Sequence, residues 1–298
     1  MKKIFLLLAC CFCVSFGSTG HAATGHYVSG TEGIKAATLP PPGFYWRSYN
    51  LFYNAGKMND NKGKKISPNF DVSVYAMANR FIYSSEITIL GANLLIDAII
   101  PLVYTDISLK GAGPGSFSDN KFGIGDIIVE PFALGWHGER YDAAFALGLY
   151  MPTGEYNKNR PASPGKGFWT GMLSVGGTLY MDEAKTWSAS LLARYEVHSK
   201  QEDTHHTPGN DFHFEWGVGK LLGGAVDVGV AGYSRWQVTD NSGSGTSQYK
   251  EQAHAIGPEI AFPIPALGMH VSVRSLWEFE TKNLPQGNMT TLTLTRRF

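Results

Sequence analysis

The sequence predicts an all-β chain: a transmembrane antiparallel up-and-down β-barrel of about twelve strands, of the outer-membrane type. Three observations predict it. Apolar and polar side chains alternate with period 2 over many short segments, the connections between segments alternate long and short, and aromatic residues gather near the segment ends. Composition narrows the field. The chain has 298 residues, of which 43% are hydrophobic, 13% aromatic and only 17% charged, with 35 Gly. That balance suits neither a disordered chain nor an ordinary helical enzyme. No apolar run reaches 18 residues, which excludes a polytopic helical membrane protein. Basic and acidic side chains balance at 25 each, so the polybasic surface of a general nucleic-acid binder is absent and no nucleic acid is expected as a partner.

The N-terminus reads as an export leader. Lys2 and Lys3 precede an apolar stretch over residues 4–16, and the small residues Gly20 and Ala22 suit cleavage before Ala23. Leu7-Leu8-Ala9-Cys10 resembles a lipoprotein cleavage site, but too short an apolar segment precedes it. The expected division is a signal peptide over 1–22, a periplasmic Pro-rich segment over 23–43 and the barrel over 44–298. Cys10, Cys11 and Cys13 all fall in the leader, so the processed chain has no cysteine for a disulfide, a thiolate metal site or a nucleophile. Without Lys2 and Lys3, 23 basic side chains face 25 acidic ones. Pro40, Pro41 and Pro42 favour an extended stretch, and Gly43 frees the turn into the first strand. The expected role is a stiff periplasmic spacer; the alternative is a plug segment entering the lumen.

The strands follow in order over residues 44–54, 70–83, 92–107, 122–134, 141–151, 168–181, 187–198, 211–220, 225–237, 253–262, 269–280 and 290–298. Alternation is cleanest in the second half. Trp187, Ala189, Leu191, Ala193, Tyr195 and Val197 interleave with Ser188, Ser190, Leu192, Arg194 and Glu196. Phe212, Phe214, Trp216 and Val218 interleave with Asp211, His213, Glu215, Gly217 and Gly219. In a soluble sandwich the apolar face would form a packed core; in a membrane barrel it meets lipid. Connection lengths discriminate. Residues 55–69, 108–121, 152–167, 199–210 and 238–252 are long and polar, whereas 135–140, 182–186, 221–224 and 263–268 are short. Outer-membrane barrels have short periplasmic turns and longer extracellular loops. The chain is therefore expected in the outer membrane of a Gram-negative bacterium, and an even strand count places both termini in the periplasm.

Tyr45, Trp46, Tyr53, Tyr104, Trp136, Tyr141, Tyr150, Trp169, Tyr180, Trp187, Trp236 and Trp277 lie near segment ends, where amphipathic rings can sit at headgroup level. Ordinary core filling is the competing role. The chain closes on Thr295-Arg296-Arg297-Phe298, an ending similar to the signal read by the barrel assembly machinery, so that machinery and outer-membrane lipid are expected partners.

The first half departs from clean alternation. Residues 91–102 are almost continuously apolar, and Pro101, Pro131 and Pro258 fall inside strands, where a missing ladder donor predicts bulges. Leu95 and Ile99 on the lumen side predict a partly greasy interior, which suits a conduit for apolar molecules. A small barrel packed shut is the alternative.

Lumen candidates are Asp97, Asp126, Glu130, Arg194, Glu196, His213, Glu215, Asp227, Arg235, Glu259, Arg274 and Glu278. Such a mixture contains the acids and bases of a hydrolase dyad or triad, and equally the parts of an ion-paired filling. Motifs do not favour an enzyme. Gly232-Tyr233-Ser234-Arg235-Trp236 fails the nucleophile elbow at its last position, and Gly219-Lys220 lacks the remainder of a phosphate loop. His205 and His206 beside Glu202 and Asp203 read as a solvated loop, because no metal-ligand spacing repeats. No cofactor and no metal are implied.

Several motifs together carry a family resemblance. Residues 30–46 (GTEGIKAATLPPPGFYW), Pro101-Leu102-Val103-Tyr104-Thr105-Asp106, Gly123-Ile124-Gly125-Asp126-Ile127, Pro131-Phe132-Ala133-Leu134-Gly135-Trp136 and Tyr150-Met151-Pro152-Thr153-Gly154-Glu155-Tyr156 resemble proteins named for the meta-pathway of phenol degradation. The resemblance spans essentially the whole processed chain. It implies an outer-membrane barrel that takes up hydrophobic compounds, and it carries over no catalytic residues. Gly123 and Gly125 are expected to relieve crowding at a strand start or to let a ligand approach closely. The expected function is passive passage of hydrophobic, aromatic small molecules. The rivals are a barrel enzyme acting on surface lipid or peptide, and a closed structural or adhesion barrel.

Overall fold

The computed structural model describes residues 25–298, apart from 67–68, 111–115, 202, 244–245 and 247–248. The leader and its cleavage site lie outside the described residues. The described residues form thirteen strand segments: β1 (Gly43–Met58), β2 (Phe70–Ile89), β3 (Ala92–Leu109), β4 (Phe117–Ile124), β5 (Ile127–His137), β6 (Tyr141–Met151), β7 (Thr170–Tyr180), β8 (Trp187–His198), β9 (Asp211–Leu222), β10 (Val226–Gln237), β11 (Gln252–Ile264), β12 (Met269–Lys282) and β13 (Pro285–Arg297). Each pairs antiparallel with its neighbours. β1 pairs with β13 from Tyr45↔Arg297 to Met58↔Pro285, and the β2–β3 pairing completes the ring.

β4 and β5 are two parts of one wall strand, so the barrel has twelve transits. Both pair with β3: β4 along residues 102–109 and β5 along residues 93–99. The break falls at Gly125–Asp126, opposite Pro101, whose carbonyl accepts from the Gly125 N–H at 2.9 Å. The three strand prolines therefore behave differently from one another. Pro131 sits in a bulge, where the β5–β6 register shifts between Val129 and Phe132. Pro101 faces the break. Pro258 causes no shift: Ile256 pairs with Trp277 and Glu259 with Arg274 in one unbroken register, leaving only an unbridged step between them. One missing donor on one side of a strand is tolerated there without an extra residue.

Burial follows the alternation. In β8, Ser188, Ser190, Leu192, Arg194, Glu196 and His198 are buried inward, while Trp187, Leu191, Tyr195 and Val197 are exposed outward. On an outer-membrane barrel this apolar exterior faces hydrocarbon. Trp187, Trp277, Tyr141, Tyr104, Trp169 and Phe298 stand exposed on it, and Trp46, Trp136 and Trp236 are half-buried. Four aromatics expected at the interface instead point inward. The Tyr45 hydroxyl donates to the Pro41 carbonyl at 2.9 Å, Tyr53 to Glu278 at 2.8 Å and Tyr180 to Asp142 at 2.5 Å, while Tyr150 stacks on His26 with centroids 4.8 Å apart. Their strand parity fixes this, because period 2 sends each of them to the inward face whatever its distance from a turn.

Residues 25–42 do not form a free spacer. They run inside the barrel, from the long-loop end at His26 to the short-turn end, where β1 begins. Near the short turns Thr38 Oγ1 donates to Asp142 at 2.9 Å and Lys35 Nζ to Asp227 at 2.8 Å; farther up, the Ile34 N–H donates to Glu259 at 2.8 Å and the His26 N–H to Glu196 at 2.7 Å. The wall makes room for it. A Cβ on Gly217 would come within 2.9 Å of the Ile34 Cα, so only glycine lets the two backbones meet. Below the charged zone, Leu39 packs on a buried cluster of Tyr45, Ile82, Leu95, Ala133 and Ala146, which is where the apolar lumen face of β3 goes.

Candidate functional site

The interior is a layered ion-pair network, built because strand register sets inward charges side by side. In β8 and β9 Arg194 pairs across from His213 and Glu196 from Asp211. Diagonal contacts then form. The Arg194 guanidinium donates to Glu215, and His213 Nε2 lies 3.0 Å from Glu196 Oε1. Arg235 bridges Asp211 at 2.8 Å and Glu251 at 2.7 Å, while His198 lies 3.3 Å from Asp211. Across the lumen, Arg274 meets Glu259 at 3.1 Å, and Arg80 binds Asp97 at 2.6 Å and also Glu130.

The N-terminal segment completes this network rather than merely occupying it. Glu215 accepts from the Tyr27 hydroxyl at 2.8 Å and from the N–H groups of Gly30 at 2.7 Å and Glu32 at 3.0 Å, besides Arg194. The Tyr27 ring lies between His213, stacked at 5.0 Å, and the Arg194 guanidinium at 3.9 Å. Glu32 reaches Arg80 at 3.4 Å and Arg47 at 3.6 Å, and its carboxylate accepts from Tyr49 at 2.6 Å. Arg274 returns a hydrogen bond to the Gly30 carbonyl at 3.1 Å. Arg47, Arg80, Arg194, Arg235 and Arg274 thus each meet a carboxylate, as a low-dielectric interior demands.

All twelve lumen candidates turn to this interior. Asp97, Asp126, Glu130, Arg194, Glu196, His213, Glu215, Arg235, Glu259 and Arg274 are buried. Asp227 is held by Lys35, and Glu278 by Tyr53 and Tyr233. Sequence reasoning missed His26, Glu32, Arg47 and Arg80. The first two sit in the segment read as a spacer, and the others occupy inward positions on β1 and β2, where register alone would have found them. Among the described residues no group of three or more His, Cys, Asp or Glu side chains is arranged to hold a metal.

Asp126, at the strand break, is a second node. Its carboxylate accepts the backbone N–H of Gly154 at 2.9 Å and of Lys166 at 2.7 Å, and it lies 2.9 Å from His26 Nε2. It thereby fastens the 152–167 connection, the strand break and the N-terminal segment together. Among the described residues β4 forms a ladder with β3 alone. Its other side is covered by that connection: Arg160 binds Asp119 at 2.7 Å, the Ala162 N–H donates to Asp119 at 3.1 Å, and Pro164 lies over Gly123, where a Cβ would approach it to 2.9 Å. The close approach that Gly123 permits is by the chain's own loop.

On the outside of the same wall, at the Pro131 bulge, lies a groove of about 500 Å³. Phe44, Phe81, Tyr83, Ile96, Ala98 and Pro131 line it, and it reaches the buried carboxylates Asp97 and Glu130. An apolar groove thus meets the charged interior at the place where the β3–β5 ladder is irregular.

The COG4313 outer membrane channel from Pseudomonas putida F1 superposes with a TM-score of 0.78 at 16% identity, covering 88% of this chain and 97% of that one. The β domain of the Bordetella autotransporter BrkA superposes with a TM-score of 0.51 at 12% identity, covering 87% and 100%. These likenesses show a shared outer-membrane barrel fold. No curated protein sequence matches the chain. The sequence profile of the family described as the MetA-pathway of phenol degradation matches residues 55–294. With the strand break and the proline-bearing bulge both inside that span, the chain belongs to the MetA-pathway of phenol degradation family of outer-membrane β-barrels.

Proposed function

We propose that this barrel is a passive outer-membrane channel for hydrophobic, aromatic small molecules, with its long loops outside, its C-terminus in the periplasm, and Phe298 presented to the assembly machinery. The observation that carries the reading is the apolar groove at the Pro131 bulge, an aromatic-lined recess beside an irregular ladder. The axial route is filled by residues 25–42 and their ion pairs, which suits polar traffic poorly. A route along the wall beside β3 needs only weak, graded contacts, because a tight site would slow release. The relative from Pseudomonas putida is itself a channel. The enzyme rival draws less support, because the candidate acid Glu215 has its oxygens engaged by Arg194, Tyr27 and two backbone N–H groups of the chain itself.

The test is uptake of a radiolabelled aromatic hydrocarbon by cells expressing the wild-type chain, an Ile96→Trp variant that fills the groove, or no copy. The reading expects a several-fold loss in the variant and in the deletion, with the variant still showing the heat-dependent gel shift of a folded barrel. Equal uptake in all three cell types would overturn it.

A further inference from the structure

We propose that the outer wall formed by β12, β13, β1 and β2 is an intramembrane interface with a second copy of this chain. The proposal is independent of what the barrel transports. It starts from an anomaly of patterning. On β1, Ser48 and Asn50 occupy the two outward positions between Trp46 and Phe52, and on β2 Asn79 lies outward between Phe81 and Tyr75. Ser275 and Thr290, paired across β12 and β13, are likewise outward. On β1 and β2 the aromatics bracket these polar side chains along their own strands, so they sit at hydrocarbon depth, and the Ser275–Thr290 pair lies on the adjoining strands. The opposite wall has nothing comparable: the outward Leu147, Leu173, Val175 and Leu191 are 40–50% exposed and purely apolar.

Some of this polarity is absorbed locally. Trp46 Nε1 donates to Asn79 Oδ1 at 3.1 Å, Tyr75 to Asn50 Oδ1 at 3.0 Å, and the Ser275 and Thr290 hydroxyls lie 2.9 Å apart. The amide donors are absorbed only in part. Asn50 Nδ2 finds only long contacts, to Ser48 Oγ at 3.3 Å and the Leu292 carbonyl at 3.4 Å. Asn79 Nδ2 donates no hydrogen bond among the described residues.

An amide donor facing hydrocarbon is expensive, and neither water nor a lipid headgroup reaches that depth. A second copy related by a two-fold axis along the membrane normal brings the same patch to face itself. Each asparagine carries both donors and an acceptor, so the patch is complementary to its own image. The small Ser48 is buried at the base of the patch, 2% exposed, so no bulky side chain at that position holds the walls apart.

Residues 14–298 contain no cysteine, so a single reporter cysteine is unambiguous. Met77→Cys places it on the patch beside Asn79, and Leu191→Cys on the opposite wall. In dilute proteoliposomes, oxidation is expected to give a disulfide-linked dimer for Met77→Cys and only collisional background for Leu191→Cys. Adding Asn50→Leu and Asn79→Leu to Met77→Cys should lower the dimer fraction about tenfold. Equal cross-linking from both walls, or a yield unmoved by the two leucines, would overturn the proposal. If the Met77→Cys barrel fails to fold, subunit counting by photobleaching of the loop-labelled wild-type chain decides: two bleaching steps support the interface, and single steps refute it.

Discussion

Glu215→Gln tests whether the N-terminal segment is held by charge or merely by confinement. The carboxylate receives four donors: Arg194, the Tyr27 hydroxyl, and the N–H groups of Gly30 and Glu32. The amide keeps one acceptor oxygen and turns an NH₂ toward groups that are themselves donors, so about two of the four bonds are lost. Hydrogen bonds to a charged group contribute roughly 1.5–3 kcal/mol each, and Arg194 also loses its ion pair in a site where it is 6% exposed. The docked segment should therefore weaken by about 3–5 kcal/mol, since Tyr27 stacking and the Glu196 contacts persist. At roughly 1.4 kcal/mol per tenfold, local opening becomes about two to four orders of magnitude more frequent. Hydrogen-exchange mass spectrometry on peptides covering residues 26–34 reads this directly. Glu280→Gln, whose side chain is on the exposed Lys282 pair, serves as the control. If exchange of 26–34 is no faster in Glu215→Gln than in that control, the network does not hold the segment and the electrostatic argument fails.

Other expectations follow from the same contacts. Asp126→Asn removes the charge that holds the Gly154 and Lys166 N–H groups, so external protease should cleave within 155–163 roughly tenfold faster while strand content is unchanged. Gly154→Ala should loosen the same connection, because its Cβ would come within 2.7–3.0 Å of backbone atoms of Gly125, Gly165 and Asp126; a cost of about 1–3 kcal/mol should appear as a lower melting temperature. In the short turn before β8, the Asp182 carboxyl is held below its ordinary range first by the Trp187 N–H and then by Thr186. A depressed folded pKa gives a contribution that is complete above the unfolded value, near 4, and is lost as pH falls through the lower folded value. Carboxyl NMR should therefore show the Asp182 midpoint below that of a free aspartate; an ordinary midpoint would refute the turn geometry.

The barrel was legible in the sequence because period 2 and connection length act locally: Arg194, Glu196, His213 and Glu215 could be placed on one face without knowing their neighbours. Parity was the information left unused for the aromatics. Tyr150 stands near a turn, as an interfacial ring would, yet its inward position puts it on His26. The N-terminal segment was illegible for a different reason. It has no regular secondary structure, so its hydrogen bonds go to carboxylates up to 225 positions away, as from Ile34 to Glu259, and no local pattern encodes such partners. The split of the fourth wall strand is half visible in Gly123, Gly125 and Pro101, but the meeting of Gly125 with Pro101 is a tertiary fact.

The seam between β1 and β13 joins Tyr45 to Arg297. Contacts between positions so remote along the chain are slow to form, since a long loop must close before any ladder bond repays it. Until then both rims of the nascent sheet are raw templates able to capture a stranger's backbone. Biogenesis of this molecule is therefore a race between self-closure and mispairing, and chaperoning of those two rims governs how much of it reaches a finished state.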